Sequence, residues 1–183
     1  MRDINEISSW YKKNNELCRN DQLKIKFLCL YTIVAYSVKN IELEYKELVV
    51  DFEKKDFNFG ITEYDRDTTF SEEEIHILKT INRLYGYFEN KDLLYHLSLN
   101  SNSISDIINH LKKEITEDLG SYKFYKFNEY VLITKKYIFF IDNNTNLTDE
   151  EVKYLKEYQY KGPEDQTQFT VFRSVSSGAL VIY

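Results

Sequence analysis

Asp65 and Asp67 flank Arg66 in the segment Glu63-Tyr64-Asp65-Arg66-Asp67. An Asp-x-Asp pair is a common way to hold a hard cation such as Mg²⁺, since such ions prefer carboxylate oxygen. No glycine-rich phosphate loop accompanies the pair, and it sits among many other acids, so it reads as part of a solvated charged face. His76, His96 and His110 each fall on an expected helix, with no ligand-like spacing between them. Cys18 and Cys29 lack a CxxC spacing, and Ser176-Ser177 lacks the G-x-S-x-G elbow of a nucleophilic serine. These residues predict no catalytic centre, no cofactor and no metal. The residual enzymatic alternative is a small metal-dependent enzyme built on Asp65 and Asp67.

Nucleic-acid chemistry is disfavoured by charge. A helix-turn-helix could be drawn over 90–120, but its second helix would open Ser-Ile-Ser-Asp, with an acid and no Lys or Arg for phosphates. The aromatic-lysine run from Tyr122 to Tyr137 could stack single-stranded bases, yet a packed sheet face accounts for the same rings.

The charge pattern points instead to a protein partner. The chain carries 24 basic and 30 acidic residues, a net charge of −6. The window Glu42 to Glu74 holds 12 acids against 4 bases. Such a belt repels nucleic acid and attracts a basic surface. Glu63, Tyr64, Asp65 and Asp67, with Phe57 and Phe59 as aromatic anchors, are the candidate partner-binding residues; core packing is the competing role for the rings.

The elements that must position these residues are read from local signals. Asp3 with Glu6, Ser71 with Glu74, and Thr148 with Glu151 have capping-box spacing and predict three helix starts. The first helix turns Ile4, Ile7, Trp10 and Tyr11 inward and ends in the polar patch Asn14 to Asn20. Asp21 opens a second helix to about Val38, apolar on nearly all sides and therefore central. Ile41, Leu43 and Tyr45 alternate with Glu42, Glu44 and Lys46, the period of a strand. Phe70 and Ile75 form a hydrophobic staple at the start of the third capped segment. Ile75, Leu78, Ile81, Tyr85 and Phe88 then mark its buried stripe, which stops near Gly86. Asn90 is the expected cap of a short helix to about Leu97. Ser103 and Asp106 open another helix that stops at Gly120.

Beyond Gly120 the chain turns aromatic and β-rich in YKFYKF, YVLIT and YIFFI. The Thr148 helix, stapled by Leu147 and Val152, is expected to run to Gly162-Pro163. FTVFRSV and ALVIY flank Ser176-Ser177-Gly178 as a hairpin. The predicted class is α+β: a mainly helical domain over 1–119 and a small C-terminal sheet with one helix over 120–183, packed on it. Five glycines and one proline argue against long disordered tracts. Two cysteines are too few for a disulfide scaffold. With no apolar leader and no run of roughly 18 apolar residues, a cytoplasmic protein is expected. Scarce alanine beside abundant Asn, Lys, Ile and Tyr reads as the coding bias of an AT-rich bacterial or phage genome.

The first two thirds resembles the Panacea domain, the SocA-type antitoxin domain of bacteria and phages. DQLKIKFLCLYTIVAY (21–36) is similar to that family's second helix, and DFNFGI (56–61) to its Gly-Pro-Val loop. Phe70 to Gly86 resembles its Ser-Glu-Glu-Glu helix ending in Tyr-Gly, and LLYHLS around His96 its Leu-x-x-x-x-His. Ile61 stands where the family has proline, and the tryptophan that follows the family's histidine is missing here. The resemblance implies a non-enzymatic protein that binds and neutralises a partner protein, usually a toxin, and the acidic belt adds the expectation that this partner, a toxin or nuclease effector, has a basic surface. The alternative in the same class is a phage anti-defence inhibitor of the anti-CRISPR type, presenting its acids as a DNA mimic.

Overall fold

The computed structural model describes residues 1–45, 49–51, 56–58, 60–64, 66–98, 104–121, 129–162 and 166–183. The fold is α+β, in two compact units, Met1–Tyr125 and Lys126–Tyr183.

In the first unit, β1 (Arg2–Asp3) leads directly into α1 (Ile4–Asn14). The Asp3 carboxylate accepts from the Asn5 amide at 2.6 Å, and Glu6 accepts from the Asp3 amide at 2.8 Å, so the expected capping box is formed. Ile4, Ile7 and Tyr11 are buried, whereas Trp10 is only partly so. A short 3-10 turn, Glu16–Cys18, leads to α2 (Gln22–Val38), whose Lys24 amide is capped by Asp21 at 3.0 Å. This helix is the hub, as its sequence predicts: residues from Ile25 to Tyr36 are buried except Lys26, and α1, α3, α4 and α5 pack around it. Lys24 is buried too, with its ammonium donating to the Phe88 carbonyl.

After α2 the chain departs from expectation. Asn40 takes a left-handed φ of 55°, and the Ile41 backbone N–H donates a hydrogen bond to the Tyr36 carbonyl at 2.9 Å. The strand expected over 41–46 is therefore cut to β2 (Leu43–Glu44), which pairs parallel with β1, and Tyr45 is exposed. An unanticipated pair follows, β3 (Val49–Asp51) antiparallel to β4 (Asp56–Asn58).

The helix α3 (Glu72–Tyr85) has the Ser71–Glu74 box, with Glu74 accepting from the Ser71 amide at 2.8 Å. Its buried stripe is Glu74, Ile77, Leu78, Thr80, Ile81 and Tyr85. Ile75 is only half-buried and Phe88 lies beyond the helix end, exposed, which corrects both ends of the expected stripe. Gly86 caps the helix, but with an ordinary φ of −66°. What requires glycine there is space, since a Cβ would sit 2.4 Å from the Asn82 carbonyl oxygen and 2.7 Å from the Asn15 side-chain nitrogen. Then come α4 (Asn90–Ser98) and α5 (Ile104–Ser121). Asn90 does not cap α4; its side-chain Nδ2 donates to Asp21 at 2.8 Å, and among the described residues its Oδ1 has no hydrogen-bond donor. Gly120 does not stop α5, which runs through to Ser121, and Ser103 lies outside the described residues.

The second unit is one sheet in the order β5 (Glu129–Ile133), β6 (Ile138–Asp142), β7 (Gln168–Arg173), β8 (Leu180–Ile182). The β5–β6 and β7–β8 pairs are antiparallel. Strands β6 and β7 run parallel, and the connection between them carries α6 (Asp149–Lys156). The Thr148–Glu151 box is present. The helix ends at Lys156, well before Gly162, and Pro163 is outside the described residues; Tyr158 still packs on the core from beyond the helix. That core is aromatic: the Phe139 and Phe169 rings stack at 5.7 Å, and Tyr137 meets Phe169 edge-on at 5.3 Å. The expected hairpin forms, with Gly178 at φ 69°. YKFYKF falls on residues that are not described.

Candidate functional site

Of the six residues expected to contact a partner, Asp65 and Phe59 lie outside the described residues, and Phe57 is described only by its backbone in β4. Glu63 is exposed. Asp67 is fully exposed and pairs loosely with Lys13 at 3.5 Å. Tyr64 is half-buried, and its hydroxyl donates to Glu6 at 3.3 Å, so it helps to anchor the loop.

The loop carrying them is tied to the starts of α1 and α3. The Thr62 amide donates to Asn5 at 2.6 Å, Thr68 donates to Glu6 at 3.2 Å, and Arg2 reaches the Thr69 carbonyl at 3.1 Å. Arg2 is the centre of this arrangement. Its guanidinium lies 4.4 Å over the Phe70 ring and makes two 2.8 Å bonds to Glu74. A pocket of about 470 Å³ opens here, lined by Met1, Arg2, Ile41, Glu42, Ser71, Glu73 and Glu74. Glu74 is consumed by Arg2, but Glu42, Glu44, Glu63, Asp67, Glu72 and Glu73 are exposed.

A second cluster was not visible in the spacing of the histidines. His96 on α4 and His110 on α5 are 14 positions apart, yet their rings lie 5.6 Å from each other. Glu114, one turn after His110, sits between them. Its Oε2 is 2.8 Å from His96 Nε2 and 3.7 Å from His110 Nε2. The spacing of these histidines in the sequence is not ligand-like, and it is the pairing of two helices that brings His96 and His110 together. The one local signal was His110 and Glu114 at i, i+4 on an expected helix, which puts both on one face.

Two buried tyrosines back the cluster. Tyr31 of α2 stacks on Tyr85 of α3 at 4.1 Å and 10°. The Tyr31 hydroxyl is 3.0 Å from His96 Nδ1, and the Tyr85 hydroxyl donates to Glu114 Oε1 at 3.0 Å and to Asp118 Oδ2 at 2.8 Å. Burial pushes both phenol pKa values up, with nearby carboxylates adding to the effect, so both hydroxyls stay protonated. Asp118 is also pushed up, first by burial, with the Tyr85 hydrogen bond opposing. Among the described residues, no Lys or Arg pairs with Glu114 or Asp118.

The chain matches no known protein-family model, no curated protein and no solved structure at a significant level.

Proposed function

We propose that this chain is a non-enzymatic binding protein that neutralises a partner protein bearing a basic surface, as the Panacea-like antitoxin resemblance implies. It acts inside a bacterial or phage-infected cell. The observation that supports this reading is the collar of exposed carboxylates, Glu42, Glu44, Glu63, Asp67, Glu72 and Glu73. They sit on segments that converge on the first turns of α1 and α3, and Glu42 and Glu73 share the mouth of one pocket. Part of that charge serves the helix itself, since Glu72 and Glu73 lie at the positive end of the α3 dipole. Glu42, Glu63 and Asp67 have no such duty, and even Asp67, held only loosely by Lys13, stays exposed to meet a basic partner.

The test is capture followed by rescue. The immobilised protein should retain a basic protein from a lysate of its host. A Glu42→Lys, Glu63→Lys, Asp67→Lys variant should retain much less of it. Co-production should relieve the partner's toxicity or block its activity. Equal retention by the variant, or a partner whose activity is unaffected by the bound chain, would remove the basis of this reading.

A further inference from the structure

We infer that His96, His110 and Glu114 form a binding site for a zinc-class divalent ion, bridging α4 and α5. The three donor atoms, His96 Nε2, His110 Nε2 and Glu114 Oε2, lie within 4.8 Å of one another. A tetrahedral zinc with bonds of about 2.0–2.1 Å holds its donors about 3.3 Å apart. The two separations to Glu114, 2.8 and 3.7 Å, bracket that spacing, so closure on an ion needs side-chain shifts of about an ångström or less. Two imidazoles and one carboxylate are a borderline-soft set that selects zinc, cobalt or nickel over magnesium and calcium.

The groups behind these donors make the site more than a chance cluster. A ligating histidine needs its other nitrogen held, and a ligating carboxylate needs its other oxygen held. Tyr31 holds Nδ1 of His96 at 3.0 Å, and Tyr85 holds Oε1 of Glu114 at 3.0 Å. Both donor atoms that face the cluster are thereby oriented by buried, mutually stacked rings. Tyr31 can serve both states, because a hydroxyl either donates to a bare Nδ1 or accepts from Nδ1–H. Without an ion, His96 Nε2 and Glu114 share a hydrogen bond across 2.8 Å. With one, the metal takes that place and the Nδ1 proton points at Tyr31. The Glu114 and Asp118 carboxylates face a single tyrosine proton, so a cation also relieves their crowding. His110 is half-exposed, which leaves a path for the ion and a fourth position for water or a partner's ligand.

The inference is independent of the acidic collar and is tested on the purified chain alone. After chelation and dialysis, titration with zinc should show one ion per chain, and cobalt should give the absorption bands of a four-coordinate site. Excess magnesium or calcium should not compete. His110→Ala should weaken zinc binding at least tenfold while leaving the melting temperature of the metal-free chain near wild type, as its side chain is half in water. Tyr85→Phe should weaken binding about 10- to 100-fold by releasing Glu114. Failure to reach one zinc per chain, or zinc binding of unchanged strength in His110→Ala, would overturn it.

Discussion

Arg2 and Glu74, 72 positions apart, meet in a two-pronged ion pair: Nε to Oε1 and Nη2 to Oε2, each at 2.8 Å. Glu74 is at once the closing residue of its own helix cap and the acceptor that fixes the start of α1. One carboxylate therefore ties two helix N-termini together.

The first prediction concerns this pair. The Arg2 hydrogen bonds, helped by the Ser71 amide, hold the Glu74 carboxyl down at about 2, against an ordinary 4.5. Its folded value is below its unfolded value, so its stabilisation is complete above about pH 4.5 and is lost as the pH falls toward 2. Glu74→Gln should cost about 1.5–3 kcal/mol near neutral pH, the scale of a charged hydrogen bond. Urea melts of wild type and variant should draw together below pH 4.5 and converge only as the pH falls to about 2. A gap that stays constant with pH would mean the ion pair contributes little.

The second concerns the opposite ends of the same helices. Asn15 is buried, donates to Asn82 at 2.7 Å and to the Gly86 carbonyl at 3.1 Å, and accepts from the Leu17 amide at 3.0 Å. A methyl at position 86 would collide with both asparagines. Gly86→Ala should cost about 1–3 kcal/mol by overpacking, although its φ suits alanine. Thermal melts decide; an unchanged melting point would show that Asn15 moves aside freely.

What could be read from the chain divides along the range of the interaction. The three capping boxes close over three residues, so Asp3, Ser71 and Thr148 announced their helices by themselves. The central burial of α2 was legible because it is apolar on nearly every side. Gly120 misled because a helical glycine costs only about 1 kcal/mol, which the packing of buried Leu119 and Ile115 outweighs. Lys24 gave no sign of burial, since only the position of the Phe88 carbonyl makes its ammonium acceptable inside. The β3–β4 pair hid in a stretch without alternation. The histidine cluster hid because His96 and His110 meet only when α4 and α5 come together.

A third prediction tests the core. Leu30 of α2 and Ile81 of α3 are 2% and 1% exposed in one continuous cluster. Truncating either to alanine should cost about 2–5 kcal/mol, the range for a buried large-to-small change. Denaturant midpoints measure it, and no loss in either variant would contradict the packing of α2 against α3.

The last prediction concerns how a partner arrives. Glu63 and Asp67 are exposed, and among the described residues their one ion pair is the loose contact of Asp67 with Lys13. Such an exposed pair contributes little, so reversing both charges should leave the melting point nearly unchanged. Their effect should be on the encounter instead. Charges at the rim of a contact steer a partner in from a distance and are screened by salt, whereas short-range packing sets how long it stays. Glu63→Lys with Asp67→Lys should therefore lower the association rate with the captured partner several-fold at low salt. The dissociation rate should change little, and the two association rates should approach each other as ionic strength rises. Stopped-flow or biosensor kinetics at two salt concentrations separates the cases. A loss confined to the dissociation rate would mean that these residues are packed within the contact, and an unchanged association rate at low salt would mean that the partner arrives elsewhere.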